Sequence, residues 1–342
     1  MSGRAVRIAL AAAAALALAL APVQAKGEGQ RAKGPGAEEA VPRLDAVEFA
    51  RPGNEADEAV LGRPLALALD GDSLFVADAQ DSAVKVFSRD GRFVRAFGGK
   101  GQGPGELAFP SGVAVAGDGI VVADKFNSRI QTFDRSGRPR SAFPTRFLPD
   151  RVYALTPDAL LVTSNPTGRR KGEPLLHVFD ASGLLRWEGL EARSTGDPAY
   201  DAFLNMILIA PAGGGEFYVI HRSGERTVLR FAATGALLGR ITVDGRHLSR
   251  PLELPVKRGK KRLMGFCWAA ASDRGLLYLA APAPIDGGKD LGPGREISAI
   301  DNSGKLQAVI TLGRAVHRFI VDGNRVYGID EDGELRLFEV AR

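Results

Sequence analysis

Beyond residue 43 the chain alternates short apolar, β-branched runs with polar turns, and it rarely keeps an apolar spacing of helical period. Such runs, bounded by Gly, Asp, Asn and Ser, predict antiparallel strands joined by tight turns. The clearest case is residues 97–137, FGGKGQGPGELAFPSGVAVAGDGIVVADKFNSRIQTFDRSG. It holds a glycine-rich loop, an apolar run, a Gly-Asp-Gly turn, a second run ending in Ala-Asp, a polar loop and a strand-like Arg-Ile-Gln-Thr-Phe-Asp. This order recurs with a period of about 40 to 60 residues, which marks a repeat architecture.

Three marks set the register. A strand ending Phe-x-x-x-Gly, or its Ile variant, falls at 87–91, 133–137, 179–183, 231–235 and 300–304, and LRLFEV puts Phe338 in the same place. Upstream of each mark another strand ends, at Asp78, Asp124, Ser164, His221, Ala281 and Asp330. Upstream again lies an apolar strand before a tight turn, as in LALALDGD and GVAVAGDG. The marks count six units. Five have a fourth strand after the glycine: FVRAF, PRSAF, LLRWEGL, LLGRITV and LQAVITL. The sixth runs out of chain, while 44–49 (LDAVEF) precedes the first full unit and belongs to none. The expectation is an all-β, six-bladed β-propeller of four-stranded antiparallel blades over 43–342. The N-terminal strand completes the last blade and closes the ring, which leaves only short outer edges.

The unit at 97–137 resembles an NHL repeat, whose pattern is a G-x-G-P-G-x-F loop, P-x-G-V-A-V, V-A-D, N-x-R-I and F-D-x-x-G. The likeness is good in the preceding unit (Arg63-Pro64, Val76-Ala77-Asp78, Val86-Phe87) and thins to skeletal marks in the last four, which lack Asn-x-Arg-Ile. The resemblance implies a six-bladed propeller. It does not name a ligand, because related propellers include scaffolds, sugar, peptide and RNA binders and a few enzymes.

Charge and leader narrow the classes. The chain has 45 basic against 40 acidic residues, and without Arg4 and Arg7 the balance is near +3, too mild to argue nucleic-acid binding. Residues 1–25 read as a signal peptide: a basic start, an apolar stretch at 8–21, then Val23-Gln24-Ala25. That stretch is shorter than the ~20 residues of a membrane span, so no span is expected after cleavage, and the location is periplasmic or secreted. Residues 26–42 read as a flexible linker. Cys267, the single cysteine, excludes an intrachain disulfide, and in FCWAAA it reads as a buried small hydrophobe.

Loop lengths point to a face. Turns between the first and second and between the third and fourth strands are short throughout. The other connections carry the insertions, at 165–174, 191–203, 244–262 and 282–295. Long loops on one rim mark that rim as the binding face. Two of them are basic, with Arg169, Arg170 and Lys171 in one and Lys257, Arg258, Lys260, Lys261 and Arg262 in another. These charges are either solvated loop residues or an attractor for an anionic partner. The expected partner is a protein or an anionic glycan. Nucleic acid is not expected, since interleaved aromatics are missing.

The strand ends Asp78, Asp124, His221 and Asp330 are expected on that rim, near the channel mouth. There they could bind a ligand or cap the following loops through their own backbone. Arg129 could reach a ligand or brace the neighbouring blade. No cofactor is expected. The alternative is a metal-assisted hydrolase or lyase, resembling gluconolactonase-like or amidating-lyase propellers, with Ca or Zn at the channel mouth. No catalytic residue can be named. His-Glu-x-x-His and Gly-x-Ser-x-Gly are absent, His177 reads as a packing residue, and no Ser or Thr follows a Gly-Lys in the glycine-rich loop.

Overall fold

The protein is described by a computed structural model covering residues 41–50, 59–243, 248–256, 259–285 and 290–341. Residues 1–25, read as a signal peptide, and nearly all of 26–42, read as a linker, lie outside the described residues. The first strand, β1, is Arg43–Ala50. Blade 1 is Pro64–Asp70, Ser73–Asp78, Ala83–Ser88 and Phe93–Gly98 (β2 to β5). Blade 2 is Pro110–Ala116, Gly119–Asp124, Arg129–Asp134 and Pro139–Pro144 (β6 to β9). Blade 3 is Pro149–Thr156, Ala159–Ser164, Pro174–Asp180 and Leu185–Glu191 (β10 to β13). A short helix α1, Pro198–Leu204, leads into blade 4, which is Ile207–Gly213, Glu216–His221, Thr227–Ala232 and Leu237–Thr242 (β14 to β17). A hairpin, Arg250–Val256 and Gly259–Gly265 (β18, β19), precedes blade 5, which is Ala269–Asp273, Leu276–Ile285, Asp290–Ile300 and Leu306–Leu312 (β20 to β23). Blade 6 is Val316–Asp322, Arg325–Asp330 and Leu335–Val340 (β24 to β26), with β1 as its fourth strand.

The ring closes as the sequence predicts. β1 pairs antiparallel with β26 (Ala46 opposite Val340, Glu48 opposite Phe338). It also pairs in parallel with β23, the outer strand of blade 5 (Arg43 opposite Val309, Ala46 opposite Leu312), so one segment covers two edges. Arg336, 2 % exposed, fastens the seam. Its Nε donates to Asp330 at 2.7 Å and its Nη1 to Glu48 of β1 at 3.2 Å. The core confirms a complete circle, because an apolar cluster fills each of the six blade-to-blade interfaces. The last interface sets Tyr327, Leu335 and Leu337 of blade 6 against Leu74, Val76 and Phe87 of blade 1.

The register marks have local causes. In FDRSG the Asp134 carboxylate accepts from the Ser136 amide and hydroxyl and from the Arg138 amide. This Asx-type turn fixes the reversal between third and fourth strands. Asp180 with Ser182 and Asp301 with Ser303 repeat it. Gly137 has φ +88°, and a Cβ there would sit 2.6 Å from Phe97 on the outer strand of blade 1. The glycine is therefore required both by the turn and by the approach of the previous blade.

Topology also fixes the two faces. The links from first to second strand are two residues long in all six blades, and those from third to fourth strand are four or five residues in blades 1 to 5. All of these open on one face. The opposite face carries the nine-residue link 165–173, the segment 192–206 with α1, and the segment 243–268 with its hairpin. The insertions at 243–268 and 282–295 are more ordered than the sequence suggests. Residues 250–256 pair with 259–265 as a hairpin, and 282–285 and 290–295 extend the strands of blade 5.

Candidate functional site

The four strand-end residues were expected to gather at the channel mouth, and the structure does not bring them together. Asp78 is fully buried and accepts from the Gly62, Arg63 and Gln80 amides at 2.8, 2.9 and 3.1 Å, with Lys85 Nζ 3.3 Å away. Asp124 is equally buried and accepts from the Ala108 amide (2.6 Å), Asn127 Nδ2 (2.8 Å), Arg129 Nε (2.8 Å) and Gln131 Nε2 (3.2 Å). Asp330 accepts from the Asp332 and Glu334 amides and from Arg336. Each carboxylate therefore anchors the connections around its own blade, which is the capping alternative. Arg129 is spent in the same way. Beyond Asp124 it donates to the carbonyls of Gln102, Gly103 and Glu106 and so holds the glycine-rich connector in place.

His221 is partly buried, its Nδ1 has no hydrogen-bond partner, and burial followed by the nearby Arg193 charge lowers its pKa to about 4. His177 stacks on Phe147 with ring centres 3.8 Å apart, and its pKa is likewise lowered by burial to about 4. Among the described residues no three His, Cys, Asp or Glu side chains gather as a metal site. Cys267 is buried, and burial pushes its thiol up to about 12.

The basic loops divide. Arg169 turns inward, donating to the Asn165 carbonyl and to Glu173, whereas Arg170 and Lys171 are exposed. Lys257 and Arg258 lie outside the described residues, and Lys260, Lys261 and Arg262 are described only as backbone of β19.

The structure instead offers a cavity on the ring axis, about 540 Å³ in volume. It starts at the insertion-bearing face, at Asn165, Thr167 and Asn205, and runs down between the innermost strands to Leu69, Pro211 and Ser272. Most of its wall is Ala, Val, Leu and Ile, as the inner strands dictate. Three arginines break that wall: Arg151, Arg222 and Arg318. Asp150 is the single carboxylate of the lining. Asp150 is already engaged, with Lys125 Nζ at 3.0 Å and Arg151 Nη1 at 3.6 Å. Burial would raise its pKa, but Arg151 and Lys125 outweigh that and hold it low.

Repeat geometry explains why two of these arginines reach the axis. Inner strands of blades 1, 2, 3 and 6 shift register between their first and third residues, at Pro64/Ala66, Pro110/Gly112, Pro149/Arg151 and Val316/Arg318. Such a bulge re-aims the side chain that follows it. Blades 1 and 2 carry small residues at the shift, and blades 3 and 6 carry arginine. Gly112 also makes room, since a Cβ there would lie 2.7 Å from the Val152 amide and 3.0 Å from the Arg151 Cα. Arg151 Nη1 then donates to the Ser111 and Asp150 carbonyls, both at 2.8 Å.

Arg222 comes from the insertion side. Its amide donates to the Met206 carbonyl, and its own carbonyl accepts from the Phe266 amide at the base of the hairpin. Its guanidinium lies 4.1 Å over the Trp268 ring, a cation–π contact, and Trp268 Nε1 donates to His317 Nδ1 at 3.3 Å. Arg318 Nη1 donates to the His317 carbonyl at 2.8 Å. Among the described residues neither Arg222 nor Arg318 has a carboxylate partner. Burial, followed by the charges of Arg151 and Arg222, lowers the Arg318 pKa to about 9. Burial, with a further push from Arg151, lowers that of Arg222. Guanidinium does not give up its proton in proteins, so the cavity holds confined and mutually repelling positive charge.

Linear spacing does not reveal this trio. The recurring Ala-Asp lies at the ends of the second strands, whereas Arg151 and Arg318 lie at the starts of the first strands. Aligning those starts would have shown Ala66, Gly112, Arg151 and Arg318 in one structural position.

Comparisons with known proteins agree on the fold. The DUF5128 family model, described as a 6-bladed beta-propeller, matches residues 55–160, which is blade 1 to the start of blade 3. A member of the duf4221 family from Bacteroides vulgatus is similar in structure, with a TM-score of 0.59 and 10 % identity over 87 % of this chain and 98 % of that one. A Bacteroides fragilis protein provisionally described as exported matches with a TM-score of 0.55 and 11 % identity, over 87 % and 95 % of the two chains. The WD40 repeats of RRP9 match with a TM-score of 0.51 and 11 % identity, over 87 % and 100 %. No curated protein matches the chain. At such identities the likeness establishes the propeller and nothing finer. No helix among the described residues is long and apolar enough to cross a membrane.

Proposed function

We propose that the protein is an exported, NHL-like propeller acting as a binding module that engages a protein or an anionic glycan through its insertion-bearing face. One observation carries this reading. Among the described residues, the connections lengthened beyond a turn emerge on one face, at one end of the axial cavity, while the other face has turns of two to five residues. A fold needs only the turns, and lengthened connections gathered on one rim are where propellers place recognition. The leader sequence supports export, and the exposed Arg170 and Lys171, with the basic stretch 257–262, supply attraction for a negatively charged partner.

The test is retention of the purified protein on uronate-bearing glycans and on envelope fractions at low salt. Replacing Lys257, Arg258, Lys260, Lys261 and Arg262 by glutamine is expected to weaken retention at least tenfold. Replacing the exposed Arg138 and Arg92, on the short-turn face, is expected to leave it unchanged. Equal loss from both sets would reduce the interaction to general charge and remove the assignment of a face.

A further inference from the structure

We propose that the mouth of the central channel is a binding site for a small organic anion, a carboxylate or a phosphate ester, gripped by the converging guanidiniums of Arg151, Arg222 and Arg318. This deepens the reading above, because it names what the channel beneath that face takes.

The argument rests on charge balance and on shape. Buried cations in proteins are normally paired with carboxylates or fully hydrogen-bonded. Several cations of this ring follow that rule: Lys85 sits between Asp78 and Asp81, Arg129 on Asp124, Arg336 on Asp330 and Glu48. In the channel, the partly buried Arg222 and Arg318 depart from it. Three guanidiniums share a lining whose single carboxylate contacts Arg151 and Lys125 and acts on Arg318 only through space. Arg222 and Arg318 each have fork hydrogens to spare, and planar forks match carboxylate and phosphate oxygens two at a time.

The arginines are also held, which is a cost with no return in an empty structural channel. Trp268 supports Arg222 from one side and, through its indole N–H, meets His317 next to Arg318. Ser111 and Asp150 carbonyls fix Arg151. Gly112 clears the space that the inner strand of blade 3 needs. Binding sites favour this arrangement of preorganised donors in a small, partly apolar cavity. The cavity of about 540 Å³ falls in the range of small-molecule sites, about 300–1,000 Å³, and accommodates a sugar acid or sugar phosphate. Neutral polar groups at the mouth, Asn165, Thr163 and Thr167, face the same space and suit hydroxyl groups.

The experiment is isothermal titration of the full chain with D-glucuronate, D-glucose 6-phosphate and inorganic phosphate at constant ionic strength, with D-glucose as the uncharged control. At least one organic anion is expected to bind with submillimolar Kd while glucose gives no heat. Arg222→Gln and Arg318→Gln should each weaken that binding about tenfold, the equivalent of ~1.4 kcal/mol per lost charge contact, and the double variant about a hundredfold. Which probe binds separates carboxylate from phosphate. Phenylglyoxal labelling of the unaltered protein, mapped by peptide mass, supplies a readout that needs no variant: the bound anion should protect Arg222 and Arg318. The proposal is overturned if no organic anion binds better than glucose, if phosphate alone binds and only at tens of millimolar, or if the double variant binds unchanged. The glutamine variants of 257–262 should leave the titration intact, so failure of the channel site and failure of the rim reading are separate results.

Discussion

Replacing Asp124 by alanine separates an anchoring carboxylate from a ligand-binding one. The carboxylate has no solvent exposure and takes four donors: the Ala108 amide, Asn127, Arg129 and Gln131. Hydrogen bonds to a charged group contribute about 1.5–3 kcal/mol each, but simple addition overcounts. Arg129 is 17 % exposed and keeps three carbonyl partners, so part of its charge can turn to water. Gln131 is 1 % exposed and cannot. The expected loss is therefore that of one broken buried pair, about 3–5 kcal/mol. Asp124→Asn, which keeps the shape but loses the charge, should cost less. Urea denaturation followed by fluorescence reads the loss, and amide exchange in 99–109 should rise together with it, because Arg129 holds that connector. A loss below about 1 kcal/mol with unchanged protection would refute the anchoring role and return Asp124 to the list of candidate ligand residues.

Other outcomes follow from the same structure. Deleting residues 43–50 uncovers β23 and β26 together, and unpaired strand edges recruit one another, so light scattering should show more self-association than for the full chain. His177 and His221 have pKa values lowered to about 4. The unfolded chain thus binds more protons between pH 6.5 and 4, and stability should fall as pH drops through that window. The fall is bounded by about 3 kcal/mol per histidine, and His177→Phe should remove roughly half of it in a pH series of denaturation midpoints. Cys267, pushed up to about 12 by burial, should react with a thiol reagent at pH 8 only as fast as the protein opens, and immediate labelling would contradict its burial.

Much of the fold was legible because each mark had a purely local cause. Asp134, Ser136 and Gly137 write one turn, and a turn of that kind is repeated at Asp180 and Asp301, so the blades could be counted. The strand at 44–49 could be assigned to the last blade by elimination. The candidate site was less legible. Asp78, Asp124 and Asp330 drew notice because they recur, yet recurrence in a repeat protein mostly marks what every blade needs, here a buried acceptor for the amides of its neighbouring connections. Arg151 and Arg318 depart from the repeat, which is the stronger sign of function, but their convergence depends on a register shift and on ring geometry that no linear spacing shows. Arg222 was hidden differently: it sits one residue beyond a noticed histidine, and only its clip to the hairpin at Phe266 and its seat on Trp268 aim it at the axis. The insertions at 244–262 and 282–295 read as loops because they interrupt the strand repeat, yet 250–256 with 259–262 and beyond, and 282–285 with 290–293, pair as strands.

The most direct test of the channel as the functional centre is a crystal structure grown with selenate, located by its anomalous signal. The account predicts a selenate bound between Arg151, Arg222 and Arg318 and displaced when D-glucuronate or D-glucose 6-phosphate is added. Selenate found only at surface arginines, with the three guanidiniums turned away from the axis onto protein oxygens, would contradict it.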